Sequence, residues 1–477
     1  MLRTIVSIVL VGLFWAACSA SWAADAPKYN VLFLISDDLR TELGCYGSHL
    51  AKTPNIDALA AAGVRFDRAY CQFPLCCPSR TSMLTGRYPL TTGVLGNRTW
   101  FGNAHPDYVS LPKYFRQNGY ATLRAGKIFH GGIDDTEAWT EGGEARIFDV
   151  PGRTNEPQRP DRRQSEQSDR WVVLDADGER RGDNRTADRA IQLLGNYKDR
   201  PFFLACGFAK PHSPLEAPQR FYDLYDAAKI PLPPDFAPRP TVLAGFPRSS
   251  IRRMNADLFV GRDSSPQAAK EMIRAYLASV SWMDWNVGRV LAELDRLGLR
   301  ETTIVVFWGD HGYQLGEKGK WSKAGSLFEQ GARVPLIIAD PRSARNGKTS
   351  PRIVESVDVY PTLVELCGLA QPADLEGRSL APLVANPDAA WNYPAFTIWS
   401  EGGKHATGIS IRTEKWRYTE YTGPRGPGAL LFDESADPYE MHNLADDPKL
   451  AKVRARLSKL IEAHGLLQPS APGSAGG

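Results

Sequence analysis

The sequence predicts an α/β protein: a large, mostly parallel central sheet covered by helices, followed by a smaller α+β subdomain. Three observations lead to this. Residues 30–36 (Asn-Val-Leu-Phe-Leu-Ile-Ser), 202–208 and 304–308 are continuous apolar runs of strand length, the pattern of strands buried on both faces. Between them lie longer stretches with helical spacing, and strands that alternate with helices build a parallel sheet covered on both sides. The runs also end alike, in Asp37-Asp38, Ala209-Lys210-Pro211-His212 and Gly309-Asp310-His311. Ligands of open α/β sheets bind beyond the carboxyl ends of the strands, so these three segments are expected to meet in one crevice.

In chain order, residues 1–24 carry one cation, Arg3, then an apolar run from Ile5 to Ala17 and the small-residue stretch Ser21-Trp22-Ala23-Ala24. The run is shorter than the ~20 residues of a membrane helix, and no other stretch approaches that length. It reads as a cleavable secretory signal on an exported protein with no membrane partner. The strand at 30–36 is followed by a helix over 55–62, opened by Thr53-Pro54. A strand at 120–123, a helix at 184–197, the strand at 202–208, a long helix at 267–297, the strand at 304–308 and a helix at 356–367 complete an expected main domain, 25–370. Beyond it the units are shorter and richer in turns. Residues 410–421 and 430–433 read as strands and 448–464 as an amphipathic helix, giving a subdomain over 371–467 and a disordered tail at 468–477. Residues 131–180 and 214–262 lack sustained periodicity. Loops of that length inside a compact domain usually carry function, and these are expected to wall a pocket.

Composition narrows the function classes. At 477 residues and 43% hydrophobic, the chain can bury one large core, or one large and one small. A formal charge of +3 gives no global basis for binding nucleic acid, so any anion must be recognised locally. Seven cysteines, with Cys18 inside the signal, are too few for a disulfide-built scaffold.

Residues 76–87 read Cys-Cys-Pro-Ser-Arg-Thr-Ser-Met-Leu-Thr-Gly-Arg. A lone Cys-X-Pro-X-Arg would be no more than a buried cysteine or a disulfide partner. Leu84, Thr85, Gly86 and Arg87 at fixed offsets make it a signature, and on it the chain resembles the type I, formylglycine-dependent sulfatase family. That resemblance implies an alkaline-phosphatase-like fold. It also implies that Cys76, the first cysteine, is oxidised to Cα-formylglycine, with the formylglycine-generating enzyme as its maturation partner.

Adjacent Asp37 and Asp38 at a strand end repel each other unless a hard divalent cation or hydrogen-bond donors compensate. Taken alone, the pair is as compatible with a turn or a helix cap. Asp310 and His311 at a second strand end strengthen the metal reading. The family binds one calcium ion at these places, so the resemblance gives Asp37, Asp38, Asp310, His311 and the converted Cys76 as the metal set. Histidine at 311, where many members carry Asn, points to the iduronate-2-sulfatase branch. Gly126-Lys127-Ile128-Phe129-His130, Lys210-Pro211-His212 and Trp321-Ser322-Lys323 resemble further segments of that branch. They imply Lys127 and Lys323 as clamps on sulfate, His130 as partner of the formylglycine diol, His212 as proton donor to the leaving oxygen and Arg80 as holder of the hydrate. Trp416-Arg417-Tyr418 resembles a segment bordering the pocket, and Arg417 is expected to meet a uronic-acid carboxylate.

These residue types are needed together. A nucleophile approaching an anionic sulfate ester is repelled unless cations neutralise its oxygens. The expectation is therefore an exported (periplasmic or secreted, or lysosomal in a eukaryote) calcium-dependent carbohydrate sulfatase acting on a 2-O-sulfated uronic acid or a similar sulfated sugar. Two alternatives stay open: a phosphate or phosphonate monoester hydrolase of the same superfamily, and a non-catalytic carbohydrate-binding relative in which Cys76 is never oxidised.

Overall fold

All eight residues of strand β1 (Asn30–Asp37) are buried, and the strand lies in the middle of a seven-stranded sheet. The computed structural model describes residues 28–149, 168–178 and 181–465; the expected signal at 1–24 and tail at 468–477 lie outside them. The further strands are β2 (Val64–Tyr70), β3 (Ala121–Gly126), β4 (Trp171–Leu174), β5 (Phe202–Pro211), β6 (Leu215–Pro218), β7 (Thr303–Gly309), β8 (Arg333–Ala339) and β9 (Thr349–Glu355). The central order is β3-β5-β1-β7-β8-β2-β9, and β4 pairs with β6 apart from it. Strands β3, β5, β1 and β7 are parallel neighbours, whereas β8 runs antiparallel to both β7 and β2. A mostly parallel sheet of apolar strands has to be covered on both faces, and two separate cores flank it. One is built on Leu32, Leu34 and Leu204, the other on Val31, Phe33 and Ile35.

The Pro266–Arg296 helix shows why such covering elements form. Ser265 caps it by accepting from Ala268 N, Pro266 occupies the first position, where a missing N–H costs nothing, and Met272, Tyr276, Val280 and Met283 form its buried stripe. The helix Gly182–Tyr197 lies beside it and buries Ala187, Ala190 and Leu194.

The C-terminal part is a second, antiparallel sheet of β10 (Ala395–Trp399), β11 (Gly408–Arg412), β12 (Trp416–Tyr421) and β13 (Gly428–Asp433), in that order. The single strand expected at 410–421 is in fact the β11–β12 hairpin, in which Ser410 faces Thr419 and Arg412 faces Arg417. The turn escaped the sequence pattern because it carries neither Gly nor Pro. Thr413 closes it instead, its N–H donating to the Trp416 carbonyl at 2.8 Å and its hydroxyl oxygen accepting from Trp416 N at 3.1 Å. The helix Ala451–Ala463 lays Leu457 and Ile461 on this sheet. Ile398 N donates to Gln72 O at 2.9 Å and Thr397 Oγ1 to Cys71 O at 2.7 Å. These bonds tie the second sheet to the segment that leads into Cys76.

Candidate active site

Four parallel strand ends converge. β1 ends in Asp37, β7 is followed by Asp310 and His311, β3 by Lys127, and β5 runs to Pro211 just before His212. Two glycines permit the tightest approach. Lys127 N donates to Gly207 O at 2.8 Å, and a Cβ on Gly207 would stand 1.8 Å from the Lys127 carbonyl oxygen. Gly126, at φ 72°, would place a Cβ 2.2 Å from Gly207 O. No side chain fits at either position, and the resulting contact sets Lys127 Nζ on the Asp37 carboxylate.

Cys76 opens the helix Cys76–Thr85, which Gly86 ends at φ 65°. Its Sγ is 1% exposed as a residue, 3.4 Å from Asp37 Oδ1 and 3.3 Å from His311 Nε2. One turn on, Arg80 is fully buried. Its Nε donates to Asp310 Oδ2 at 2.8 Å, and its Nη1 donates to the carbonyls of Lys127 at 2.6 Å and Ile128 at 3.0 Å. Arg80, expected as a holder of the hydrate, also braces the strand ends, and its Nη2 has no hydrogen-bond partner and lies 3.8 Å from Asp37 Oδ2. His130 is also at the site, with Nδ1 unpartnered. Its imidazole is held below the usual range by burial, against a hydrogen bond with Cys76. Cys77 faces away, toward Thr81 and the Thr99 carbonyl.

On the opposite side, Asp183 accepts from Ala209 N at 2.8 Å and Lys210 N at 3.0 Å, and Ser36 Oγ donates to Lys210 O at 2.8 Å. These bonds hold the turn that presents His212, whose Nδ1 lies 2.6 Å from Ser213 O and whose Nε2 lies 4.0 Å from Asp38 Oδ2. About a third of the His212 side chain, 31%, still reaches solvent. Burial and Lys323 lower its affinity for a proton, but Asp38 and Asp37 outweigh them and raise its pKa. Lys323 Nζ donates to Asp38 Oδ2 at 2.9 Å and lies 3.3 Å from Asp257 Oδ1. Asp257 and Asp183 are supporting residues that the sequence reading missed. Each is a lone carboxylate outside any motif.

The carboxylates of the site are unevenly balanced: against its burial, Lys127 and Arg80 hold Asp37 well below its usual range, while Asp38 and Asp310 stand above theirs. Asp37, Asp38, Cys76 and His311 each offer one ligand atom, all within 4.8 Å of one another. Asp38 Oδ1 is buried without a hydrogen-bond partner. Burial and the neighbouring Asp37 push Asp310 up to about 7, and burial also raises Asp38 against the pull of Lys323. His311 is pushed up to about 10 because Asp310 and Cys76 outweigh its own burial. A hard divalent cation would relieve Asp38 and Asp310, and two of the four donors are the carboxylate oxygens such a cation prefers, beside the Cys76 sulfur, which oxidation to formylglycine would replace by oxygen, and the His311 nitrogen. Asp310 stands beside the four-residue set rather than within it. One of its carboxylate oxygens accepts from Asp38 N at 3.1 Å and His311 N at 3.0 Å, and the other, bound to Arg80, is 3.5 Å from His311 Nε2.

Arg417 is not at this site, and the expectation that it meets a substrate carboxylate is corrected. It is 1% exposed. Its guanidinium is taken by Glu440 at 2.7 Å, Glu434 at 3.2 Å and Glu329, with Ser410 Oγ at 3.2 Å. An arginine buried among three carboxylates is neutralised and out of a ligand's reach.

Comparison with known proteins agrees with this geometry. A family model described as Sulfatase matches residues 29–369, and one described as N-sulphoglucosamine sulphohydrolase, C-terminal, matches residues 316–465. A sulfatase of Formosa agariphila is 32% identical, the alignment covering 92% of this chain and 87% of the relative. Iduronate 2-sulfatase of Homo sapiens is also 32% identical, with 88% of this chain and 91% of the relative covered. Among solved structures, a protein captured with its substrate D-glucosamine-2-N,6-O-disulfate superposes with a TM-score of 0.72 at 24% identity, over 94% of this chain and all of that one.

Proposed function

Because this chain belongs to the sulfatase family and hydrolyses sulfate esters on its alkaline-phosphatase-like fold, we propose that it is an exported, calcium-dependent carbohydrate sulfatase. The substrate we assign is the 2-O-sulfate of a uronic acid, and the nucleophile is a formylglycine made from Cys76. The observation that carries this reading is the position of Cys76 Sγ, within 3.4 Å of both a carboxylate and an imidazole at the head of a buried helix. The oxidised side chain supplies, as its hydrate, two hydroxyls on one carbon, which a serine cannot. Asp37, Asp38, His311 and the converted side chain at position 76, with Asp310 beside them, would hold calcium, which would supply a Lewis acid for the ester.

The chain's own residues do the rest. Lys127 and Lys323 each ion-pair an aspartate, from where each can turn a proton donor to a sulfate oxygen. Arg80, rigid between Asp310 and the Lys127 carbonyl, has in Nη2, 3.8 Å from Asp37 Oδ2 and without a hydrogen bond, a donor for the hydrate. His212 holds a proton because Asp38 and Asp37 favour its charged form, and donates it to the departing sugar oxygen. His130, which burial keeps neutral, accepts the proton of the second hydroxyl. The sugar class is supported by the relation to iduronate 2-sulfatase. Export is supported by the pattern at 1–24, and no helix among the described residues is long and apolar enough to cross a membrane.

The test is steady-state hydrolysis by protein co-expressed with the formylglycine-generating enzyme. A 2-O-sulfated uronic acid glycoside should exceed 6-O-sulfated glucosamine in kcat/KM by about tenfold or more. The reverse ranking would overturn the uronic-acid assignment.

A further inference from the structure

An extended strand sends successive side chains to opposite faces, so the end of β1 would deliver one aspartate to the site, not two. Val31, Phe33 and Ile35 join one core, and Leu32 and Leu34 the other. Asp37 continues the first series, on the face where Cys77, Met83 and Leu84 of the Cys76 helix pack. Asp38, if extended, would turn to the second face, where Met272 and Tyr276 of the Pro266–Arg296 helix pack. Its carboxylate instead joins that of Asp37: Oδ1 lies 3.5 Å from His311 Nε2, within the set that Asp37, Cys76 and His311 complete. The backbone change that does this is a left-handed turn at Asp38, φ 63°, which swings Cβ to the other side of the chain. Aspartate tolerates this region better than most residues, yet it is sparsely populated and persists only where the surroundings hold it.

Two side chains hold it. Asp310 Oδ1 accepts from Asp38 N at 3.1 Å. On the other side of the residue, the Tyr276 hydroxyl donates to the Asp38 carbonyl at 2.8 Å and accepts from Arg40 N at 3.1 Å. One phenol thus spans residue 39 and takes up two backbone groups just past the end of the strand. Tyr276 is fully buried in the second core, and its ring stacks on that of Tyr313 with centroids 6.0 Å apart. Tyr313 in turn donates its hydroxyl to the Trp321 carbonyl at 3.1 Å, in the loop that carries Lys323, and Lys323 Nζ donates to Asp38 Oδ2 at 2.9 Å. Phenylalanine at 276 would keep the ring and its packing and take away only the partner of the Asp38 carbonyl and Arg40 N. With one of its two side-chain tethers gone, the turn relaxes toward extended backbone and carries the carboxylate off the site.

We propose that Tyr276 is a positioning residue, whose hydroxyl holds Asp38 in the left-handed conformation that turns the second aspartate onto the metal set beside Asp37. It touches no reacting atom and acts through Asp38 alone. The inference rests on the calcium reading of the Cys76 site and adds to it the device that lets two consecutive residues serve one ion.

The test compares Tyr276→Phe with Tyr225→Phe in the full chain carrying the oxidised side chain at position 76. Tyr225 is the matched control: its buried hydroxyl lies 2.6 Å from Ser281 Oγ and accepts from Lys52 N at 3.0 Å, so the same atom is deleted without touching Asp38. Calcium affinity is read by calorimetric titration after stripping with EDTA. Tyr276→Phe should weaken calcium binding by about 10–100-fold, the usual effect of losing a partner that orients a metal ligand. Tyr225→Phe should lower the thermal midpoint by a similar amount and leave calcium affinity unchanged. Equal affinities of the parent and Tyr276→Phe, or an equal weakening in both variants, overturns the assignment. Failure of the calcium reading is seen separately, as a parent chain that binds no calcium. The crystal structure of metal-free Tyr276→Phe then decides: an extended Asp38 supports the inference, and a left-handed Asp38 with its carboxylate unmoved overturns it.

Discussion

Two buried charge clusters in this molecule are built from the same residue types and do opposite things. Around Cys76, three aspartates meet Arg80, Lys127, Lys323 and His311, yet Asp38 Oδ1 and Arg80 Nη2 are left over, and Lys127 and His212 keep 21% and 31% of their side chains exposed. Between the two sheets, Glu329, Glu434 and Glu440 meet Arg412, Arg417 and Lys318. There Arg417 is ringed by three carboxylates, and Lys318 pairs with Asp235 at 2.8 Å while donating to the Tyr439 carbonyl. The first cluster is open at one side, whereas in the second no side chain is more than 12% exposed. Charge, burial and unspent hydrogen-bonding capacity, which Arg412 Nε and Glu440 Oε1 share with Asp38 Oδ1 and Arg80 Nη2, do not distinguish a reactive site from a structural one; functional side chains that still reach solvent, as Lys127 and His212 do, do.

The comparison breaks most sharply at one residue of each cluster. Cys76→Ala should cut turnover by about four orders of magnitude or more and leave the thermal midpoint nearly unchanged, which calorimetry beside a turnover assay would check. Arg417→Met should do the reverse. Removing one partner of a buried ion cluster destabilises by about 3–5 kcal/mol, so chemical denaturation should show that loss while the remaining folded enzyme keeps its kcat. A large fall in kcat for Arg417→Met at unchanged stability would return that residue to the pocket.

His212→Gln sharpens the account of the open cluster. General-acid help is worth about 10²–10⁴-fold, and it matters most when the leaving oxygen is basic. The loss should be about tenfold greater or more on a sugar sulfate than on an aryl sulfate, measured as kcat/KM on both. An equal loss on the two would show that His212 positions substrate without donating a proton. Chelation with EDTA should lower both activity and the thermal midpoint, because a cation that offsets Asp38 and Asp310 stabilises the folded state, and added calcium should restore both. Arg417→Met should show the same EDTA-induced shift. Cys77→Ala is the smallest effect: its thiol, buried in the apolar core, has only Thr81 and the Thr99 carbonyl as polar partners among the described residues, so it should cost about 1 kcal/mol of stability and leave turnover intact.

Much of the open cluster was legible because motif and topology coincide there. Apolar runs ending in Asp37, Asp310 and the Lys210-Pro211-His212 segment are visible in one dimension, and parallel neighbours bring such ends together. The closed cluster was not. Arg417 reads as a pocket arginine because Glu329, Glu434 and Glu440 stand 88, 17 and 23 residues from it in the chain, and no local periodicity links them to it. Asp257 was hidden for the same reason, inside an aperiodic segment, although it packs against the Lys323 loop. The β11–β12 turn was missed because Thr413 makes a bend without the usual turn residues. Long-range electrostatic pairing is the information that local periodicity lacks.

The central claim is that the open cluster exists to make and use an oxidised Cys76. Peptide mass spectrometry on the fragment spanning Cys76 and Cys77, from protein co-expressed with the formylglycine-generating enzyme, tests it most directly. The account predicts the mass change of sulfhydryl to aldehyde at Cys76 alone, in step with sulfatase activity. An unmodified or disulfide-bonded Cys76, under conditions where a control sulfatase is converted, would contradict it.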